Sequence, residues 1–519
     1  MTLPSTWSLL GTVQQRLSCL PPFSFFFDVV LAHWRAPHEA VALHRICTLA
    51  RKQGARHIVV EAAGGRSALT ADVDALDKLH GGGGAAECIA ISFFSEGDDA
   101  TPIEKLLNET LIGQVVIVNY RAPGSGVFSI SYIYEAVLRP PSLPGAPPQL
   151  MNNYFCVGKD FEIEVLGRQF KTAGIYYCQQ NSRTHVCAHA SLRMSLNGLN
   201  GNGATITNDA INQLLAVTPP LQGLSLGDIV KTIEDLGGMC ADVVDCDGLD
   251  SATYMKILAS IVESGDRAML VFTTGGAEEH VVSVYGHTRN SDEWHPQAIP
   301  AYAGPVSAPF YSSSMWIDHF LIHDDNFGPY YTLSSRALET DPNVKAHWII
   351  AIRKTTADVS GDLAETVSSI HLKNTLPLLA PLMPTARWLS YAATVNSPFV
   401  LRAVLLTRAE YVEHIRSATC HDGSAHNAAD LALFQQLPDH FWMVEFSLPA
   451  LYTGNRSKLG EVLIIANRPT PPATSDYLLG IRAPGILMLG DQHGQGQIFA
   501  FGLQAHSPVY RPNRPLHEW

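Results

Sequence analysis

The sequence has no two cysteines at CxxC spacing and no HExxH motif. Those absences exclude zinc ribbons, thioredoxin-type redox centres and the commonest zinc peptidases. Lys and Arg form no long run and the formal net charge is −13, so neither nucleic acid nor an anionic membrane is an expected partner. No stretch reaches the roughly 18 apolar residues needed to span a bilayer. The apolar run 375–384 is interrupted by prolines at 377, 381 and 384. The N-terminal stretch lacks a basic start, and Pro21, Pro22 and Asp28 break its apolar part, so it does not read as a secretory signal. Gly81–Gly84 is a run of four glycines without the Lys-Ser/Thr of a phosphate-binding loop, and reads as a surface loop. No internal repeat is visible.

Hydrophobic residues make up 46% and charged residues 16% of the 519 residues, a composition with ample core. Domains of about 100–200 residues imply roughly two to four of them. The nine cysteines are scattered at 19, 47, 88, 156, 178, 187, 240, 246 and 420. An odd, dispersed set suits reduced thiols and a cytoplasmic location.

The clearest boundary is Arg139–Pro148, RPPSLPGAPP, with five prolines in ten residues, a composition for a stiff linker. A second proline-rich boundary falls between about 370 and 385. The expected division is an N-terminal α/β domain over 1–138, a linker over 139–150, a central domain over 151–370 and a C-terminal α+β domain over 385–519. In the first, residues 38–53 read as a helix ended by Gly54. His57–Ala62, Cys88–Phe94, Gln114–Asn119 and Val127–Tyr132 read as strands. In the last, Val400–Thr407, Phe441–Leu448, Glu461–Ala466 and Gln497–Gly502 read as strands and Arg408–Ser417 as a helix. No catalytic motif occurs there.

The chemistry lies in the middle. Polar residues 179–185 give way at Cys187 to a stretch rich in Ala, Leu and Met, CAHASLRM, which places Cys187 at the start of a helix. Free backbone N–H groups and the helix dipole stabilise a thiolate there. Gln179 and Gln180 stand eight and seven residues upstream, where a side-chain amide can donate to an oxyanion. Downstream, Glu279-His-Val-Val-Ser-Val-Tyr-Gly reads as a strand beginning with His280, a base on a rigid element. Phe320-Leu-Ile-His-Asp-Asp reads as a strand ending in Asp324 and Asp325, either of which can orient the imidazole. A metal reading draws on His185, Cys187, His189, His280, His323 and Asp324, but their spacing matches no closed or catalytic zinc set. His287 and His319 read as surface or capping residues.

The order glutamine, cysteine helix, histidine strand, aspartate at a strand end resembles the C39-like (bacteriocin-processing) peptidases of the papain-like fold. The residues that carry the resemblance are CAHAS, HVVSVYG and IHDDNFG, with GLSLGDIVKTIEDLG and 257–273 similar to the connecting elements. It covers roughly residues 150–350. It departs from the family pattern at Ala188-His189, where Gly-Pro is common, and at Asp325, where Pro is usual. The resemblance implies an α+β fold with a papain-like peptidase core. It also implies Cys187 as nucleophile, His280 as general base, Asp324 as orienting residue and Gln180 as oxyanion donor, with Asp325 and Gln179 as alternatives for the last two. The implied activity is hydrolysis of a peptide or isopeptide bond in a protein or peptide substrate, without cofactor or metal. An acyltransferase of transglutaminase or phytochelatin-synthase type uses the same groups, and a non-catalytic binding protein on the same fold is the third possibility. The oligomeric state stays open.

Overall fold

The computed structural model describes residues 8–500 except 10–13, 19–22, 64–66, 141–153, 157, 200–204, 219–222, 276–278, 291, 293–294, 296–309, 380, 382–397, 418–424, 455–457, 468–476, 484 and 491–495. The fold is α+β, built among the described residues on three sheets. Among the described residues no helix is long and apolar enough to cross a membrane.

Apolar runs such as HIVVEA and QVVIVNY form strands only where both faces are covered. In the first sheet the order is Gln14–Ser18, His57–Ala62, Ala85–Phe94, Leu111–Arg121, Ile130–Leu138, Arg168–Tyr177 and Lys159–Val165. On one face the helix Val41–Lys52 sets Ile46 and Leu49 against Ile58, Val60 and Phe93. On the other, Leu69, Val73 and Leu76 of the helix Ser67–Leu79 meet Cys88, Val116 and Val118. Apart from the short strand Ser8–Leu9, every pairing is antiparallel. The expected α/β reading of this part is corrected to an antiparallel sheet between helical layers. Continuous apolar strands report burial on two faces and are silent about strand direction. The glycine run 81–84 is a closed turn: Asp77 accepts from the N–H of Gly83 at 3.1 Å and of Gly84 at 2.8 Å, so the protein supplies its own anion.

The second sheet runs Cys240–Asp245, Val344–Arg353, Arg267–Thr274, Glu279–Thr288, His319–Asp324 and Gly328–Ser334, antiparallel throughout. The helices Cys187–Leu199 and Leu226–Asp235 pack on one face and Ser251–Glu263 on the other. Local signals start two of them. Ser225 and Asp228 form a capping box, and Asp250 accepts from Thr253 N–H at 2.7 Å. The third sheet joins Tyr311–Ser312 to six strands between Val400 and Ala500. It is covered by the helices Gly361–Leu379 and Arg408–Ser417.

Two expected boundaries therefore move. Strands Lys159–Val165 and Arg168–Tyr177 extend the first sheet, not the central domain. Helix Gly361–Leu379 buries Ala364, Val367 and Leu372 against the third sheet. Proline content marks where the backbone leaves regular structure, not which core the next element joins. Most of the proline-rich linker, 141–150, lies outside the described residues.

The second and third sheets are joined by a buried chain of charge. His287 meets Glu263 at 2.9 Å, Arg402 reaches Glu263 at 3.1 Å and Glu445 at 2.9 Å, and Lys458 lies 2.6 Å from Glu445. His287 is thus buried and paired, not the surface or capping residue its sequence context suggests. Removing one member of such a chain leaves an uncompensated buried charge, at about 3–5 kcal/mol.

Candidate active site

Cys187 is the first residue of its helix, and the loop before it is held from within. Asn181 Oδ1 accepts from the N–H groups of Arg183 and Thr184, both at 2.9 Å, and its amide donates to Thr184 Oγ1 at 2.8 Å. Ser182 sits at φ 57°, a left-handed turn that a short polar residue tolerates. Cys187 is half-buried and lines a cleft of about 1160 Å³. Among the described residues four other thiols are buried, and burial pushes those of Cys88, Cys178 and Cys246 up to about 12, which keeps them protonated and inert.

His280 opens the strand Glu279–Thr288 and reaches the same cleft. Its Nε2 lies 3.0 Å from Asp324 Oδ2, and the ring lines the same cleft as the Cys187 thiol. With Nε2 engaged by the carboxylate, Nδ1 is the nitrogen left for sulfur. Phe272, its cross-strand partner, stands edge-on to the imidazole with centroids 5.7 Å apart. Burial opposes a charge on His280. The hydrogen bond to Asp324, the Cys187 thiol and the two nearby carboxylates outweigh it and raise the imidazole to about 10.

Asp324 ends the strand His319–Asp324. Its Oδ1 accepts from the N–H groups of Asn326 at 2.8 Å and Phe327 at 3.1 Å, which turns Oδ2 towards His280. Asp325 is buried, its Oδ1 lies 3.9 Å from His280 Nε2, and neither of its oxygens has a hydrogen-bond partner among the described residues. The geometry thus separates the two aspartates: Asp324 binds the ring and Asp325 stands behind it. Burial, reinforced by the charge of Asp324 and opposed by that of His280, raises the Asp325 carboxyl to about 7.

The two glutamines separate in the same way. Gln179 donates to the Asp325 carbonyl at 2.9 Å and accepts from Ile133 N–H at 3.0 Å, so its amide is committed. Gln180 lines the cleft beside Cys187 and His280, with no side-chain hydrogen bond among the described residues.

Of the residues of the metal reading, Cys187, His280 and Asp324 meet at the cleft, whereas His185, His189 and His323 have other partners. His185 contacts Thr184 and the Gln179 carbonyl, His189 contacts Asn212, and burial lowers both imidazoles to about 4. His323 is packed among Tyr177, Tyr285 and Tyr330. Ligand atoms do lie within 4.8 Å of one another in His280, Asp324 and Asp325, and again in His414, Glu445 and Glu461. In the first group the Nε2 that faces the carboxylates already bonds Asp324. In the second the Lys458 ammonium lies 2.9 Å from His414, 2.6 Å from Glu445 and 2.5 Å from Glu461. An internal cation holds the place of an ion there.

The residues that fix the aspartate loop were invisible in the sequence. Tyr177 donates to the carbonyls of Asp324 at 3.2 Å and Asp325 at 3.3 Å, and Arg45 donates to Pro329 and Tyr330. Neither carries a motif. A thiol at a helix start, an imidazole at the same cleft, a carboxylate bonded to that imidazole and an amide without a described partner beside them can together carry nucleophilic acyl chemistry. Compared with known proteins, the chain matches no family model, and no curated protein is similar to it.

Proposed function

We propose that this chain is a cysteine hydrolase with a papain-like, C39-like core, and that it cleaves a peptide or isopeptide bond through an acyl-enzyme on Cys187. The observation that carries the reading is that His280, 3.0 Å from Asp324, lines one cleft with Cys187 at its helix start. His280 takes the Cys187 proton as the nucleophile forms. The thiolate attacks the carbonyl carbon, and the resulting oxyanion is met by the Gln180 amide and the Cys187 backbone N–H. His280 gives its proton to the leaving amine. It then takes a proton from the water that attacks the thioester, and the acid is released. Asp324 keeps the ring oriented and steadies its charge without accepting the proton.

The test is labelling of the intact chain with a thiol-reactive peptide probe, followed by mapping of the modified residue. The expected result is modification at Cys187 ahead of the other eight cysteines, lost in His280→Ala. Labelling spread evenly over several cysteines, or unaffected by His280→Ala, overturns the reading.

A further inference from the structure

The cleft has two chemically unlike parts on a single wall. Leu224, Val271 and Trp348 belong to one apolar cluster that also includes Cys187. Val271 is paired with Val281 on one side and Trp348 on the other. Two residues along the same strand, Thr273 is paired with Glu279. Side chains alternate along a strand, so Val281 and Glu279 share a face about 7 Å apart. Val281 is buried and Glu279 exposed, so the apolar wall beside the nucleophile ends in a carboxylate at the rim.

That carboxylate is unpaired among the described residues. Among the described residues the Glu279 side chain makes no hydrogen bond or ion pair, and no Lys or Arg lines the cleft. Lys345, the other cross-strand neighbour of Thr273, is held by Asp247 at 2.9 Å. A purely aliphatic ligand side chain would leave the carboxylate unpaired, and an acidic one would be repelled. A long side chain with an aliphatic stem and a cationic head satisfies both parts, because its methylenes cover apolar surface while its head stays at the rim. Trp348, an aromatic ring lining the same cleft, suits the same cation.

Resting on the cysteine-hydrolase reading, we propose that the cleft selects a lysine or arginine side chain next to the bond that Cys187 attacks. The stem lies on Leu224, Val271 and Trp348, and the cation lies at Glu279.

Four acyloxymethyl ketone probes test this on the full chain. They carry Ala throughout, except for Lys or Glu at the residue bearing the ketone or at the residue before it. Attraction for one charge and repulsion of the other, each of the size found for exposed pairs, give a Lys probe a rate of Cys187 alkylation roughly tenfold above its Glu counterpart. Glu279→Gln removes the preference and Glu279→Lys reverses it. Equal rates for Lys and Glu probes at both positions, or a preference that survives Glu279→Lys, overturn the pocket assignment and leave the hydrolase reading standing. Failure of every probe to modify Cys187 overturns both.

Discussion

Arg45 Nε donates to the carbonyl of Pro329 at 3.2 Å, across 284 residues of sequence. A second guanidinium nitrogen reaches the Tyr330 carbonyl. Gly328 takes a φ of 113°, and a Cβ there would come within 2.9 Å of Arg45 Cβ. Together with Tyr177 and Gln179, which hold the carbonyls of Asp324 and Asp325, Arg45 pins the loop that presents Asp324 to His280. The first sheet and its helix thereby build one side of the candidate site, although no residue in them takes part in the proposed chemistry.

Arg45→Ala should lower kcat about tenfold with KM little changed, because a carboxylate displaced by a fraction of an ångström orients its imidazole poorly. Arg45→Lys should recover only part of the loss, since one ammonium cannot bridge two carbonyls as a planar fork does. Steady-state kinetics on any substrate turned over decide this, and full kcat in Arg45→Ala would remove the loop from the account.

Substitutions in the cleft should follow role. Cys187→Ala and His280→Ala should abolish turnover, each costing nearly as much as both together. Asp324→Ala should cost less, and Gln180→Ala about 10²–10³ in kcat, the usual loss for one oxyanion donor. Gln179→Ala should instead lower stability by about 1–3 kcal/mol, because it strands a carbonyl and an N–H at the edge of the site. Parallel activity and melting measurements separate the two glutamines; equal loss of kcat in both variants would refute the assignment.

The pH profile should report the Asp324–His280 pair. His280 stands at about 10, above its ordinary 6.5, so the pair's contribution to stability is complete below 6.5 and is lost as pH rises through 10. Asp324→Asn removes a group that raises the imidazole. The alkaline limb of kcat/KM should therefore move to lower pH. A limb that stays in place assigns it to another group.

Asp325 should act in the same direction of pH, over a lower window. Its carboxyl is raised from 3.8 to about 7, so the native state holds a proton that the unfolded chain has released, and stability falls as pH rises across that window. Asp325→Asn should therefore stabilise the protein by a few kcal/mol at about pH 8 and by little near pH 4. Thermal unfolding at the two pH values checks it. A gain independent of pH would point to packing instead of ionisation.

The sequence alone determined the local elements and where in them the candidate site residues fall. The strands His57–Ala62 and Val400–Thr407 and the helix Arg408–Ser417 fall where their apolar patterns place them, because period and run length are properties of neighbouring residues. The same holds for Cys187 at a helix start, His280 at a strand start and Asp324 at a strand end. Tertiary structure decided the rest. It gave Gln179 and Asp324 hydrogen bonds to Ile133, Asn326 and Phe327 that no spacing encodes, and so set Gln180 apart from Gln179 and Asp324 apart from Asp325 in their surroundings. It placed Lys159–Tyr177 and Gly361–Leu379 with sheets other than those their linkers suggested, and it brought Arg45 to Pro329 and Glu279 to the rim of an apolar wall. Those outcomes depend on which surfaces meet when distant segments pack, and a one-dimensional pattern records only how apolar each surface is.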